Sequence, residues 1–231
     1  MTEMTKTPVE KRAPRKRAPA KAAAGTAPDG LRAQGVRTRN AIVRVARKLL
    51  LETGPMDFSL RAVAQRAGIS VSNLQYYFPS RPAVLRAVME PDIKVYLEKL
   101  KGVVDSSVAP SEMFDAMLEQ TLQDAKDVKY VALWRHFLSI ASTDPECAKL
   151  FDDWYDTLTN DLARVIRGMN PKYSPTESMH VASLVISMAD GLALQLGTGR
   201  MKPAHIRGLA ERYVATAHAI VERGVSLEEA A

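Results

Sequence analysis

From Ala33 onward, apolar positions return every three or four residues: Ile42, Val45, Ala46, Leu49 and Leu50 form one stripe, closed by Gly54-Pro55. This period predicts a first helix. Leu60, Val63, Ala64 and Ala67 predict a short second one, with Ser59 ahead of it, Gly68 behind it and Arg61, Gln65 and Arg66 on its far side. Ser70 fits as the cap of a third. On a helical wheel at about 100° per residue, Val71, Leu74 and Phe78 share one arc, while Ser72, Asn73, Gln75, Tyr76 and Tyr77 fill the other. Both tyrosines are therefore expected to face outward. Ser80 fits as the cap of a fourth helix running toward Leu100, which Pro91 is expected to kink or split near Glu90, because proline removes a backbone donor.

Beyond Gly102 the helical period continues, with starts marked by Pro110-Ser111, Asp144-Pro145, Ser174-Pro175 and Pro203. Ser174 and Glu177 have the spacing of a capping box. The whole pattern predicts an all-α protein of about nine helices with no convincing strand.

Charge is graded along the chain. Residues 1–39 carry ten Lys and Arg against three acids, residues 40–90 seven against three, and residues 91–231 fifteen against twenty. A basic end of this kind suits an anionic partner, a nucleic acid or an acidic membrane surface. Residues 1–32 are rich in Lys, Arg, Ala and Pro with almost no large apolar side chain, a composition that does not offset the entropy of ordering, so a disordered basic tail is expected. Its role in binding is left open between plain solvation and contact with DNA. The single cysteine, Cys147, excludes an internal disulfide framework. The N-terminus lacks the apolar core of a secretory signal, and no window approaches the roughly 18 consecutive apolar residues of a membrane span. A cytoplasmic protein without membrane association is expected.

Two short helices joined by Ala67-Gly68-Ile69-Ser70 make a helix-turn-helix unit, with Gly68 at the turn and Ile69 filling the angle between the helices. Chemistry adds to geometry: Asn and Gln pair two-handedly with adenine edges, Tyr reaches phosphates, and Arg61 and Arg81 flank the polar face. The run FSLRAVAQRAGISVSNLQYYFPSRPAVLRAVM resembles the N-terminal DNA-binding domain of TetR/AcrR-type transcriptional regulators. Val63-Ala64, Ala67-Gly68-Ile69-Ser70, Leu74, Phe78, Ser80 and Leu85 carry the match, which covers residues 33–90.

The chain departs from that pattern at three positions: Gln75 stands where most relatives have Tyr, Tyr77 where many have His, and Arg81 where Lys is usual. Arg81 keeps the charge and its phosphate role. Gln75 exchanges a phosphate-directed phenol for an amide able to read a base, so that role is expected to pass to Tyr76 or Tyr77. The resemblance implies a DNA face of Ser59, Arg61, Ser72, Asn73, Gln75, Tyr76, Tyr77 and Arg81.

The resemblance further implies that residues 91–231 form a helical ligand-binding and dimerisation domain. Candidate pocket residues are Phe114, Met117, Leu118, Thr121, Leu133, Trp134, Phe137, Trp154, Met188 and Leu192, with Tyr155 beside them. Such a lining suits a mostly apolar small molecule, with His136, His180 and Asp190 available for polar recognition. Candidate dimer positions at helical spacing are Val181, Leu184, Val185 and Met188 on one helix and Ile206, Leu209, Tyr213, Ala217 and Ile220 on the next, the alternative being that these stripes face the subunit's own core.

No nucleophile elbow, phosphate loop or zinc motif is present, and no cofactor or metal is implied. The expectation is a non-enzymatic homodimeric repressor that binds double-stranded DNA at an inverted repeat and is released by a small ligand. Two other readings remain: the same fold as an activator or without a ligand, and a helical protein-binding module with a nonspecific basic tail.

Overall fold

The computed structural model describes residues 29–104, 107–196 and 206–224. The expected basic tail, apart from its last four residues, and the expected helix start at Pro203 lie outside them. Among the described residues the chain is all helical, in nine helices.

α1 spans Asp29–Asp57. It buries Ile42, Ala46, Leu49 and Leu50, and its helical path is interrupted at Gly54, whose φ of 73° lies in the left-handed region. α2 (Leu60–Ala67) is capped by Ser59, whose hydroxyl oxygen accepts from the Ala62 N–H at 3.1 Å. It ends on Gly68 in the left-handed conformation (φ 68°, ψ 29°), and the Ile69 N–H returns to the Ala64 carbonyl at 3.0 Å. α3 (Val71–Tyr77) is capped in the same way, Ser70 Oγ accepting from the Asn73 N–H. This repeated Ser-cap chemistry sets the tight angle of the two helices.

α4 (Arg81–Val104) follows, with Ser80 Oγ accepting from the Ala83 N–H at 3.3 Å. It is not split at Pro91, as the sequence had suggested, but runs through it as one helix. Packing outweighs the lost donor here: α4 lies against α1, α6 and α7, and Asp92, next to the proline, accepts from Arg47 of α1 at 2.5 Å. The remaining helices are α5 (Pro110–Lys126), α6 (Val128–Ala141), α7 (Pro145–Met169), α8 (Pro175–Leu196) and α9 (Leu209–Arg223). Asp127 and Asp144 cap α6 and α7, and the Ser174–Glu177 capping box forms reciprocally at the start of α8. α8 packs between α7, α5 and α9, and one continuous apolar core runs from α1 to α9.

Candidate functional site

Two separate features carry chemistry: an outward face on α2 and α3, and a cavity among α4 to α9. α3 is pinned by Leu74 and Phe78, both almost fully buried, so its opposite face has a fixed direction. Ser72, Asn73, Gln75 and Tyr76 are exposed there, Tyr76 at 83%. Tyr77 differs from expectation: it is half-buried against the core edge, its ring meeting that of Tyr76 edge-on at 5.1 Å. A seven-residue helix ends at Tyr77, and the chain turns there toward the buried Phe78, which draws the second phenol inward. Val71 also departs from the wheel, being 37% exposed in the first turn, where the core has not yet closed over α3.

Arg61 is exposed on α2, Ser59 spends its oxygen on the α2 cap, and Arg81 is half-buried at the start of α4. No Asp or Glu occurs between Asp57 and Glu90, so the whole helix-turn-helix surface lacks negative charge of its own. Sequence reasoning missed Arg39, whose guanidinium lies over the Phe78 ring at 5.1 Å and braces α1 against the end of α3. No sequence spacing relates two residues so far apart.

The cavity has a volume of about 480 Å³. Of the residues singled out from sequence, Met117, Leu118, Thr121, Trp134 and Trp154 line it, as does Tyr155. Phe114, Leu133, Phe137 and Leu192 do not: each is buried in packed core, and Met188 is half-buried outside the cavity. An apolar stripe cannot say which of its members meet a void and which meet a neighbouring helix. Phe114, for example, packs edge-on against His218 of α9 at 5.1 Å. Tyr96, Asp124, Tyr130 and Tyr213 line the cavity without having been expected there, whereas His136 and His180 stay outside it.

The polar chemistry of the cavity centres on two carboxylates. Tyr155 Oη donates to Asp190 Oδ2 at 2.7 Å, and Gln120 donates to Asp124 at 2.9 Å. Asp124 is half-buried, and Asp190, though part of its side chain is open to solvent, has a partly desolvated carboxyl; this pushes both above their ordinary range, an effect their hydrogen bonds oppose. Tyr96 is pushed up to about 12 by burial and by the charge of Asp124, and burial also raises Tyr130, Tyr155 and Tyr213, so all four phenols stay neutral.

Most of the candidate dimer positions face the subunit's own core, the alternative that the sequence left open. Val181, Val185, Ile206, Tyr213 and Ala217 are buried inside the subunit, Val185 and Tyr213 on the cavity wall. Met188, Leu209 and Ile220 are half-buried and packed on the core. Only Leu184, 46% exposed, points away. The strongest apolar stripe thus belongs to the subunit's own core, and the outward face of α8 is the weaker series Leu184, Ser187, Gly191 and Leu194. That helix is long and apolar enough in composition to span a membrane, yet only 28% of its most apolar stretch is buried within the subunit.

Cys147 is fully buried, and burial together with Asp144 pushes its thiol up to about 12, which keeps it protonated and unreactive. Among the described residues no group of three or more His, Cys, Asp or Glu could hold a metal ion.

Residues 42–88 match the model for bacterial regulatory proteins of the tetR family, and residues 110–219 match the model for the C-terminal region of BetI-type transcriptional repressors. Among curated relatives, the HTH-type transcriptional regulator PksA of Bacillus subtilis is 22% identical over 161 residues, covering 68% of this chain and 77% of that protein. Among solved structures, a transcriptional regulator of Rhodococcus superposes with a TM-score of 0.66 at 21% identity, covering 81% of this chain and 98% of that one. A regulator of Saccharomonospora viridis in complex with choline superposes with a TM-score of 0.65 at 20% identity, covering 81% and 97%.

Proposed function

We propose that this chain, which belongs to the tetR family of bacterial regulatory proteins, is a cytoplasmic homodimeric repressor that binds an inverted-repeat operator and is released by a small molecule in its cavity. The observation that carries the DNA reading is α3: its inner side is locked by Leu74 and Phe78, and its outer side offers Ser72, Asn73, Gln75 and Tyr76 on a surface without acids. Asn73 and Gln75 read base edges, Tyr76 reaches a phosphate, and Arg61 and Arg81 hold the backbone on either side. Tyr77, half-buried, supports Tyr76 more than it reaches DNA.

The dimer reading rests on the outward face of α8, where Leu184 and Leu194 stand exposed beside Ser187 and Gly191 while the opposite face is packed in the subunit. A second copy of the same face is the simplest cover for it. Two α3 helices related by the dimer axis would then stand about 34–36 Å apart, one DNA turn. Residues 33–90 act as the DNA-binding unit and 91–231 as the ligand and dimer unit, with α4 common to both: it starts directly after α3 and carries Tyr96 into the cavity wall. A ligand that moves α4 moves α3. To invert a 99:1 population it must prefer the released state by about 10⁴-fold.

Selection of random double-stranded DNA by the purified protein at about physiological salt, followed by sequencing, tests the reading. An enriched palindrome with half-sites one turn apart is the expected result. Salt-sensitive binding without an enriched motif would overturn it.

A further inference from the structure

The cavity holds more specific information than its size. Asp190 of α8 sits at the wall where three other helices each bring a phenol: Tyr96 from α4, Tyr155 from α7 and Tyr213 from α9. Tyr155 donates to the carboxylate, and Tyr96 and Tyr213 share the same lining within reach of its charge. Among the described residues no Lys, Arg or His forms an ion pair with Asp190. Asp124, the second carboxylate of the lining, feels Lys99, and Arg135 lies on the same lining. Two carboxylates thus share the lining with one guanidinium, so the charge offered to a ligand is net negative, and Asp190 is the carboxylate that a phenol of the wall, Tyr155, holds in place. Trp134 and Trp154 continue the aromatic wall, their centroids 4.6 Å apart.

An anionic or neutral polar ligand would meet an unbalanced carboxylate here. A cation would meet a charge partner and the negative faces of several rings at once, an arrangement suited to ammonium groups, which aromatic faces attract. The volume of about 480 Å³ is that of a drug-sized molecule, within the range of about 300–1,000 Å³, so a small head group alone would leave most of the apolar wall unfilled. We infer that the cavity takes a bulky organic cation, with its charged centre against Asp190 among Tyr96, Tyr155 and Tyr213 and its apolar body on Trp134 and Trp154. This inference rests on the reading of the cavity as the effector site, and it replaces the mostly apolar, uncharged ligand suggested by the sequence.

Tetraphenylphosphonium and tetraphenylborate test it, having one shape and opposite charge. The chain has only two tryptophans, both on the cavity wall, so quenching of their fluorescence reports binding in the full-length protein without DNA. The phosphonium is expected to quench saturably and to bind at least about tenfold more tightly than the borate or choline. Asp190→Asn is expected to weaken the phosphonium by at least about tenfold, while Glu119→Gln, at an exposed carboxylate of α5 outside the cavity lining, retains it. Thermal melting of both variants establishes that they fold. Equal or tighter binding of the borate or choline, or an undiminished phosphonium affinity in a folded Asp190→Asn protein, would overturn the inference. Phosphonium binding that leaves operator DNA bound would keep the cation site and remove the release reading. Absence of phosphonium quenching from a protein that still selects a palindrome would remove the cation site and leave the regulator.

Discussion

Arg86, in the second turn of α4, forms an ion pair with Glu146 in the first turn of α7 and also reaches Glu90 at 3.7 Å. α7 supplies Trp154 and Tyr155 to the cavity, and α4 starts where the recognition helix ends. The pair is thus a strut between the cavity wall and the DNA face. Being partly exposed, it contributes little to folding, and Glu146→Ala should change stability by less than about 1 kcal/mol. Operator affinity of the unliganded protein should nonetheless shift by about 0.5–2 kcal/mol, read by fluorescence anisotropy. An unchanged affinity would show that α4 is positioned without the strut.

Base reading and backbone holding should separate in a mutant pair. Asn73→Ala is expected to cost about 1–3 kcal/mol at particular base pairs, because the exposed amide has a two-handed match only with adenine. Arg81→Ala should weaken every sequence alike and reduce the salt slope by about one. Binding titrations on the selected operator and its point variants, at several salt concentrations, would distinguish them. Equal losses on every sequence for both would contradict the assigned roles.

Asp190 should set stability against function. Its carboxyl is raised by burial in the fold, so ionising it disfavours the folded state: the contribution of the group is most favourable below its unfolded value and is lost as pH rises through its folded one. The groups around it, Tyr96, Tyr155 and Tyr213, remain neutral over this window and supply no compensating charge. Asp190→Asn is therefore expected to raise the melting temperature at neutral pH, with the gain shrinking on acidification as the wild-type carboxyl takes up its proton. A melting temperature lowered at neutral pH would mean that the carboxylate is structurally required.

How much of this was legible in the sequence follows from the range of the interactions. Ser59, Gly68, Ser70 and Ser80 act on backbone groups within three or four residues, so the helix-turn-helix and its caps could be read from spacing alone. Leu74 and Phe78 likewise fix the outer side of α3, although Tyr77 and Val71 show that a wheel fails in a helix of only two turns. The cavity is different. Tyr96, Asp190 and Tyr213 lie on three helices, and only tertiary packing brings them together. At Pro91 the local rule overreached in the opposite sense: α4 is not split there, being packed along its length on α1, α5, α6 and α7.

The same distinction governs the dimer surface. On α8 the more hydrophobic stripe, with Val181 and Val185, is consumed by the subunit's own core, leaving Leu184 and Leu194 outward at 46% and 47% exposure around Ser187 and Gly191. Small residues between two leucines allow a second helix to approach closely, and burial of both leucines in an isologous contact would recover apolar area that the monomer leaves in water. Leu184→Glu places like charges opposite each other across the two-fold axis while touching no core position. It is expected to raise the dimer dissociation constant by more than about tenfold with little change in monomer helicity, measured by sedimentation velocity and circular dichroism. Because one α3 then reads only one half-site, operator affinity should fall toward that of a half-site alone. A variant that stays dimeric would place the interface elsewhere and leave the outward face of α8 without an assigned cover.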